Sequence, residues 1–459
     1  APVTDELGRR FAAAGHELAL VGGPVRDAML GRQHNDLDLT TSARPEEIDR
    51  LLAGWADATW DIGRAFGTIG SRKGSFLVEI TTYRSESYDP GSRKPAVDFG
   101  DSLEGDLRRR DFTVNAMAVR LPSREFVDPY GGVVDLGHGL LRTPGTPEDS
   151  FSDDPLRMMR AARFAAQLGF TVDPEVVAAM TAMAGRIAIV SAERVRDELT
   201  KLVLAPYPRR GLSLLVGSGL AGIVLPELPE LAVVRDEHHR HKDVYEHTLT
   251  VLEQSIDLQD RLGGPDFVSR FAALMHDVGK PRTRRFLEDG TVTFHHHDVV
   301  GAKLTRKRMH ALKFAGDDID AVSKLVELHL RFHGYGSGQW TDSAVRRYVR
   351  DAGDQLARLH VLTRADCTTR NRRKAERLRQ SYDDLEERIA RLSEQEELAA
   401  MRPDLDGTQI MEILGIPPGP QVGAAYRFLL DLRLDHGPSS YDEARAALLA
   451  WWAERETDG

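Results

Sequence analysis

Alternating apolar and polar positions predict five short strands in the first third of the chain. The predicted strands cover residues 18–21, 37–41, 67–71, 76–82 and 115–120. Turns and two helices separate these strands. From residue 150 onward the alternation disappears, and apolar residues recur with the spacing of helices. The pattern therefore predicts an α/β head followed by a long all-α body.

Prolines, glycines and charge runs divide this body further. The segment "LRTPGTPED" (141–149) marks the end of the head, and further breaks lie at 225–243 and 401–407. We predict a head at 1–145, a helical neck at 146–235, a helical domain at 236–370 and a helical tail at 371–459.

Composition adds three limits to this picture. No run of about 18 apolar residues exists, so we expect no membrane span. The single cysteine, Cys367, excludes an internal disulfide and fits a reducing cytoplasm. The net charge of −10 argues mildly against nucleic-acid binding. Basic strips at 303–308 and 364–379 nevertheless permit an RNA partner, although such strips are more often solvated surface.

The stretch "LVGGPVRD" (20–27) is typical of a strand, a turn and the start of a helix. Gly22 and Gly23 would let backbone N–H groups approach a phosphate, and a helix N-terminus favours negative charge. Arg26 could reach the same phosphates. Because Gly-Gly turns before helices are common, this stretch alone does not establish a binding site.

The motif "NDLDL" carries more specific chemistry. Asp36 and Asp38 point to the same face of a predicted strand, where two carboxylates repel each other unless a cation lies between them. Mg²⁺ is suited to bridging carboxylates and phosphates. Two such ions can activate a 3′-hydroxyl and stabilise a leaving pyrophosphate. Glu79 is a candidate third catalytic carboxylate, and the alternative is an ordinary solvated strand face.

A third pattern follows the predicted boundary, where Asp154, Arg157, Arg160 and Arg163 are spaced by three along a predicted helix. We expect Ser152 to cap this helix, with Asp154 in its first turn. Cytosine and adenine both present an amine donor beside a ring-nitrogen acceptor, whereas uracil and guanine present the reverse. A carboxylate and a guanidinium, Asp154 and Arg157, would therefore accept C and A and reject U and G. The alternative is a salt-bridged surface stripe.

These motifs, taken in order, resemble those of the class II tRNA nucleotidyltransferase and bacterial poly(A) polymerase family. The resemblance continues through "DLRRRDFTVNAMAV" (106–119), "FVDPYGGVVDL" (126–136), "DDPLRMMRAARFAAQLGF" (153–170) and "SAERVRDELTKLVL" (191–204). It implies a mixed sheet like that of polymerase β in the head, and it assigns base selection to Asp154 and Arg157. The other nucleotide-binding residues that it implies are Gly22, Gly23, Arg26, Asp27, Arg109, Arg110, Asp111, Arg160 and Arg163. In this family a mobile loop at 83–100 is linked to switching from C to A addition.

Histidines concentrate in the helical body. The order of His247, His276, Asp277 and Asp366 on successive predicted helices resembles the HD phosphohydrolase domain. Imidazoles and carboxylates suit a divalent metal, here Mg, Mn, Ni or Co. His297 and His329 could complete a second metal site. The substrates that the resemblance implies are phosphomonoesters or cyclic phosphates.

Together, the motifs and the family that they resemble imply an enzyme that builds the CCA end of tRNA from CTP and ATP with Mg²⁺. Its partner would be the acceptor arm and 3′ end of tRNA, gripped through phosphates and shape. Poly(A) synthesis and CC-only addition remain alternatives. So do an HD phosphohydrolase whose head only docks RNA and a purely structural RNA-binding protein. The oligomeric state is left open.

Overall fold

The computed structural model describes residues 2–32, 35–63, 67–87, 96–100, 102–233, 243–288, 292–337, 340–369, 371–396 and 402–457. The chain forms two compact units, residues 1–229 with 311–313 and residues 230–310 with 314–459. The predicted fold class, a mixed-sheet head followed by helices, is confirmed. None of the helices in the described ranges is long and apolar enough to cross a membrane.

The first unit is built around a mixed β-sheet. Its strands are β1 Leu18–Val21, β2 Asp36–Thr41, β3 Ala58–Gly63, β4 Thr68–Lys73, β5 Phe76–Thr82, β6 Arg84–Ser87, β7 Ala96–Phe99, β8 Ala118–Leu121, β9 Phe126–Val127, β10 Leu140–Leu141 and β11 Thr171–Val172. Seven of them form one sheet in the order β3-β4-β5-β2-β1-β8-β9. β6 pairs with β7 and β10 with β11 as separate ribbons.

Within the described residues, twelve α-helices accompany these strands. They are α1 Pro2–Ala13, α2 Gly23–Met29, α3 Pro45–Leu52, α4 Leu103–Arg108, α5 Gly132–His138, α6 Pro147–Asp153, α7 Leu156–Leu168, α8 Pro174–Met183, α9 Ala192–Val203, α10 Pro208–Gly217, α11 Ala221–Val224 and α12 Glu227–Glu230. α1 and α3 bury one face of the sheet, where Leu37 and Leu39 lie in the core. Asp36 and Asp38 consequently point to the opposite face, as the alternation predicts.

The second unit is almost entirely helical. Its elements are α13 Val244–Asp257, α14 Phe267–Met275, α15 Lys280–Thr283, β12 Arg285–Phe286, β13 Val292–Thr293, α16 His297–Ala311, α17 Gly316–Leu328, α18 Asp342–Ala352, α19 Leu356–Ala365, α20 Arg372–Glu396, α21 Gly407–Leu414, α22 Pro420–His436 and α23 Tyr441–Thr457. α21, α22 and α23 pack around a small core of their own that includes Ile410, Leu429 and Leu448.

Three local predictions differ from the structure. β8 begins only at Ala118, because Thr113–Asn115 forms a short 3-10 turn with a buried side chain at Asn115. The predicted mobile loop at 83–100 has paired strands, β6 and β7, at its ends, and its centre lies outside the described residues. β3 was not predicted, because it is an edge strand with a large exposed side chain at Trp60 and no clear apolar alternation.

The predicted cap at Ser152 is also wrong. Ser152 lies inside α6, and the backbone of Asp154 is extended between α6 and α7. A residue that precedes a proline is sterically disfavoured in the helical region, so Pro155 ends one helix and opens the next. Asp154 therefore lies in the short connection between α6 and α7 and not in the first turn of a helix.

Candidate functional site

The first unit contains a cleft of about 410 Å³ on the sheet face that carries Asp38. All of the predicted nucleotide-binding residues line it except Asp27. Asp38, Asn115 and Phe164 line it as well. We call this region the nucleotide cleft. The structure thus brings together residues from β2, from the β1–α2 turn, from the end of α4 and from α7.

The β1–α2 turn forms one wall of the nucleotide cleft. Gly22 has a φ of 70°, and a Cβ there would lie 3.0 Å from Nη1 of Arg110, so a larger residue would be strained. Arg26 donates from Nε to Asp27 (2.8 Å) and from Nη1 to Asn115 (2.6 Å). A direct contact of Asp27 with the nucleotide therefore stays a prediction. Asp27 is buried outside the cleft lining and orients Arg26.

Three carboxylates share the sheet face beside the cleft. In the parallel pairing of β2 with β5, Asp38 lies opposite Glu79. Burial and the charge of Asp36 raise the pKa of Asp38, although Arg110 opposes the shift. Burial, Asp38 and Asp36 raise the pKa of Glu79 in the same way.

Such mutual repulsion is what a bound divalent cation relieves, so these residues fit a magnesium site. The three carboxylates differ in their position relative to the cleft. Only Asp38 of the three lines the cleft, and they form no three-ligand group among the residues that the structure describes.

Asp111 organises the floor of the cleft. Its Oδ1 accepts from the Phe112 backbone N–H (2.8 Å) and from Asn115 Nδ2 (2.9 Å), and its Oδ2 accepts from Arg160 Nε (2.7 Å). Burial opposes ionisation, but Arg160 and these hydrogen bonds hold the pKa of Asp111 well below its usual range. Asp111 thereby positions Arg160, and because Asp111 also lines the cleft, its predicted contact with the nucleotide stays a prediction.

Phe164 was not predicted as a site residue, yet it forms an aromatic wall of the cleft. The guanidinium carbons of Arg163, Arg26 and Arg160 lie 4.0, 5.3 and 5.6 Å from the centre of its ring. Arg163 is largely buried, and its Nε donates to Glu198. A helical wheel could have suggested Phe164, because it lies four residues after Arg160 and so on the same helix face. It could not have indicated the clustering of three cations.

The predicted base-selecting pair lies at the junction of α6 and α7. Asp154 accepts at Oδ1 from the Leu156 N–H (3.1 Å) and at Oδ2 from Arg194 Nη2 (2.8 Å). Arg157 donates from Nη1 to Ser150 Oγ (3.0 Å) and from Nη2 to the carbonyl of Arg109 (2.5 Å). Both side chains are thus held in defined orientations at the cleft. Arg194 on α9 was not predicted, and no local signal in the sequence links it to Asp154.

The second unit brings together all six residues predicted as metal ligands there. We call His247, His276, Asp277, His297, His329 and Asp366 the histidine cluster. They form two three-residue groups whose ligand atoms lie within 4.8 Å of one another, His247 with His276 and Asp366, and Asp277 with His297 and His329. Glycine is required beside the cluster, because a Cβ on Gly279 would collide with the backbone carbonyl of His297.

Three histidines of the cluster are oriented by hydrogen bonds between Nδ1 and backbone carbonyls. Nδ1 of His276 lies 2.8 Å from the carbonyl of Ala273, and Nδ1 of His297 lies 2.8 Å from that of Phe294. Nδ1 of His329 lies 2.6 Å from the carbonyl of Val326. Such contacts place the N–H on Nδ1 and leave the lone pair of Nε2 pointing into the cluster, the arrangement found in metal-ligating histidines. The donor set therefore fits a divalent transition metal.

Comparison with known proteins identifies both regions. The poly A polymerase head domain matches residues 18–142, and the probable RNA and SrmB-binding site of polymerase A matches residues 169–231. The HD domain matches residues 244–371. The fold and the nucleotide cleft therefore define a nucleotidyltransferase that carries an additional HD domain.

Individual relatives specify the family. The A-adding tRNA nucleotidyltransferase of Deinococcus radiodurans is 36% identical over 443 residues, which cover 95% of this chain and 96% of that protein. The chain belongs to the tRNA nucleotidyltransferase and poly(A) polymerase family. The CCA-adding enzyme of Levilactobacillus brevis is 43% identical over 208 residues, and the match spans about half of that relative, 51% of its length. The structure of the Bacillus stearothermophilus CCA-adding enzyme in complex with CTP superimposes with a TM-score of 0.71, 25% identity and coverage of 100% of this chain and 99% of that one.

Proposed function

We propose that this protein adds C, C and A to the 3′ end of tRNA from CTP and ATP. The observation that supports this most directly is the pairing of an acceptor, Asp154, with a donor, Arg157, at a cleft that also contains Asp38. This pair matches the hydrogen-bonding edge shared by cytosine and adenine. A tRNA substrate and a single free cysteine, Cys367, favour a cytoplasmic location.

In the proposed reaction, the 3′-hydroxyl of the tRNA attacks the α-phosphorus of the nucleotide, and pyrophosphate leaves. Asp36 and Asp38 would hold Mg²⁺, with Glu79 beside them, and the ion would activate the hydroxyl and stabilise the pyrophosphate. Arg26, Arg109 and Arg110 would bind the triphosphate. Asp154 and Arg157 would select the base, so no nucleic-acid template is needed.

One observation favours a narrower activity, the addition of the terminal A alone. A relative that matches over 95% of the chain is named an A-adding tRNA nucleotidyltransferase, whereas the CCA-adding enzyme of Levilactobacillus brevis matches over 45% of it. CTP and ATP present the same edge to Asp154 and Arg157, so this pair does not distinguish the two activities. The hairpin strands β6 and β7 lie where the family carries its switching loop.

The test supplies two tRNA substrates, one that lacks the CCA end and one that ends in CC, with each nucleotide separately and in combination. CCA addition predicts two C residues from CTP alone on the first substrate and a single A from ATP on the second. An A-adding enzyme would extend only the second substrate. A long A ladder from ATP alone would indicate poly(A) synthesis, and no incorporation on either substrate would contradict the proposal.

We further propose that the histidine cluster binds a divalent metal and hydrolyses phosphate monoesters or cyclic phosphates. The supporting observation is the convergence of four imidazoles and two carboxylates in a largely buried site. Release of phosphate from p-nitrophenyl phosphate or a 2′,3′-cyclic nucleotide, with Mg, Mn, Ni or Co, should disappear in the His276→Ala/Asp277→Ala variant. Unchanged activity in that variant would contradict this second function.

A further inference from the structure

We propose that Trp60, on the same sheet face as the candidate magnesium ligands, stacks against a base in the single-stranded 3′ end of tRNA. This inference rests on the proposed nucleotidyl transfer and adds a binding site for its second substrate. Trp60 is 40% exposed, although tryptophan side chains are highly buried on average. Aromatic side chains bind unpaired bases by stacking, and such stacking tolerates any base.

The cross-strand register places Trp60 in one row with two of the candidate magnesium ligands. Asp38 on β2 pairs with Glu79 on β5. Glu79 pairs in turn with Gly70 on β4, and Gly70 pairs with Trp60 on β3. Residues paired in this way project from the same face of the sheet. Because neighbouring strands lie about 4.8 Å apart, three steps separate Trp60 from Asp38 by about 14 Å.

The incoming nucleotide is expected on the other side of this row. Gly22, Gly23 and Arg26 line the nucleotide cleft from the end of β1 and the start of α2, and β1 lies on the opposite side of β2 from β5. In phosphoryl transfer the attacking and leaving oxygens lie roughly in line across the phosphorus. Pyrophosphate leaves toward the glycine turn, so the attacking 3′-hydroxyl approaches from the side of β5, β4 and β3. The RNA strand that carries this hydroxyl is thereby directed toward Trp60.

Small neighbours leave room for a base beside the Trp60 ring. Gly70, its partner on β4, has no side chain. Ala58, two residues earlier on β3, projects from the same face with only a methyl group. The next row of this face adds a further apolar contact, because Leu77 on β5 is 45% exposed. Trp60 and Leu77 therefore present an apolar surface that continues from the carboxylates.

A cation accompanies this apolar surface. Asp36 on β2 pairs with Leu77 on β5, and Leu77 pairs with Arg72 on β4. Arg72 is therefore about 10 Å from Asp36, on the side of Trp60. Its side chain is exposed, and a guanidinium there can donate to an RNA phosphate. The cation and the continuity with the carboxylates favour RNA over a second copy of the chain, which an exposed edge strand can also attract.

Steady-state kinetics with ATP and a tRNA that ends in CC test the inference. Trp60→Ala should raise KM for tRNA roughly 10-fold, as expected for the loss of one stacked base, and leave KM for ATP unchanged. Trp60→Phe keeps an aromatic ring and should retain most of the affinity for tRNA. Thr59→Ala, on the opposite face of the same strand, is the matched control and should behave like the wild type. An unchanged KM for tRNA in Trp60→Ala would overturn the inference.

The stacked base can be identified by removing it. The tRNA that ends in CC is prepared with an abasic nucleotide at each of its final positions in turn. One of these tRNAs should raise KM about 10-fold with the wild type and have no further effect with Trp60→Ala, because both changes remove the same contact. Effects that multiply at every position would mean that Trp60 contacts no base, which would overturn the inference.

The salt dependence of tRNA binding tests the path of the RNA strand. Arg72→Ala should reduce the slope of log KM for tRNA against log salt concentration by about 0.7, because one phosphate contact of a single strand is lost. Arg50→Ala removes an exposed charge from α3, which lies behind the sheet, and should leave the slope unchanged. A slope that is equally unchanged in Arg72→Ala would contradict an RNA strand on this surface.

Tryptophan fluorescence separates this inference from the proposed function. Binding of tRNA should quench the emission of the wild type, and most of this quenching should be lost in Trp60→Phe, whether or not a nucleotide is incorporated. Quenching at Trp60 without any incorporation would contradict the proposed function and support the stacking site. Normal incorporation with unchanged quenching in Trp60→Phe would overturn the stacking site and leave the proposed function intact. A changed oligomeric state of Trp60→Ala in light scattering, with an unchanged KM for tRNA, would assign this face to a second copy of the chain.

Discussion

In the nucleotide cleft, charged side chains form hydrogen-bonded ion pairs, whereas in the histidine cluster several buried imidazole nitrogens lie near carboxylates without a hydrogen bond. Arg160 is bound to Asp111, and Asp154 is bound to Arg194. By contrast, Nε2 of His276, His297 and His329 makes no hydrogen bond within the described residues. A ligand that enters the cleft must replace hydrogen bonds that these side chains already make, which favours selectivity. A cation that enters the cluster binds imidazole nitrogens that make no hydrogen bond, which favours affinity.

The largest effect is expected from the carboxylates beside the cleft. Asp36→Ala/Asp38→Ala removes the proposed ligands of a magnesium ion, and such an ion contributes several kcal/mol to phosphoryl transfer, so incorporation should fall by roughly 10³-fold or more. Labelled CMP and AMP incorporation into tRNA measures the loss. Asp61→Ala, on β3 of the same sheet, serves as the control and should retain activity. Near-normal incorporation by the double variant would refute the assignment of the metal ligands.

The contribution of the ion pairs in the cleft can be tested by measuring the free energy of unfolding. Asp111→Asn removes the closer of the two buried carboxylates that pair with Arg160, the other being Glu198. Because Glu198 remains and Arg160 is partly exposed, the free energy of unfolding should fall by about 3 kcal/mol, the lower end of the range for breaking a buried pair. Asp197→Asn, an exposed control on α9, should change it by less than about 0.5 kcal/mol. Denaturant titration followed by circular dichroism measures both changes.

Asp111→Asn should also change how stability depends on pH. Because the folded state depresses the pKa of Asp111, its contribution to stability is present above the unfolded pKa, about 3.9, and is lost as pH falls below it. The stability of Asp111→Asn should therefore depend less steeply on pH in the acid range than that of the wild type. Equal stability of the two proteins at neutral pH would show that the pair does not support the cleft.

Because imidazole nitrogens of the histidine cluster make no hydrogen bond within the described residues, we expect a bound metal to raise the stability of the fold. A metal present at 100 times its dissociation constant stabilises the folded state by about 2.7 kcal/mol per site. Removal of metal with a chelator should therefore lower the melting temperature of the wild type. Asp277→Asn should be insensitive to the chelator, whereas His310→Ala should respond like the wild type. A melting curve that is unchanged by the chelator would mean that the cluster is satisfied without metal.

The smallest effect is expected from the partner of Asp154. Arg194 is about half exposed, and an exposed ion pair contributes about 0.2–1 kcal/mol. Arg194→Ala should therefore increase misincorporation of UMP and GMP only a few-fold, through a less well-oriented Asp154. Arg196→Ala on the same helix is the matched control. A competition assay with all four nucleotides measures the change, and unaltered base choice would remove Arg194 from the site.

Short periodic patterns predicted much of this molecule. The alternation at Asp36 and Asp38 predicted the strand, its buried face and its exposed carboxylates. The His-Asp pair at 276–277 and the other cluster histidines converge as the resemblance implied. Arg194 could not be predicted, because it meets Asp154 from 40 residues away on another helix. The division of the cluster into two groups of three ligands is likewise a product of packing between helices that are distant in sequence, which no spacing of residues reveals.

The central claim is that Asp154 and Arg157 select the base in the nucleotide cleft. It is tested most directly by the relative incorporation of CMP, AMP, UMP and GMP by the wild type and by Asp154→Ala on tRNA without its CCA end. If these two residues select the base, the wild type accepts C and A, and Asp154→Ala loses roughly 10- to 100-fold in discrimination, as expected for one good base contact of about 1–3 kcal/mol. Unchanged discrimination in Asp154→Ala would contradict it.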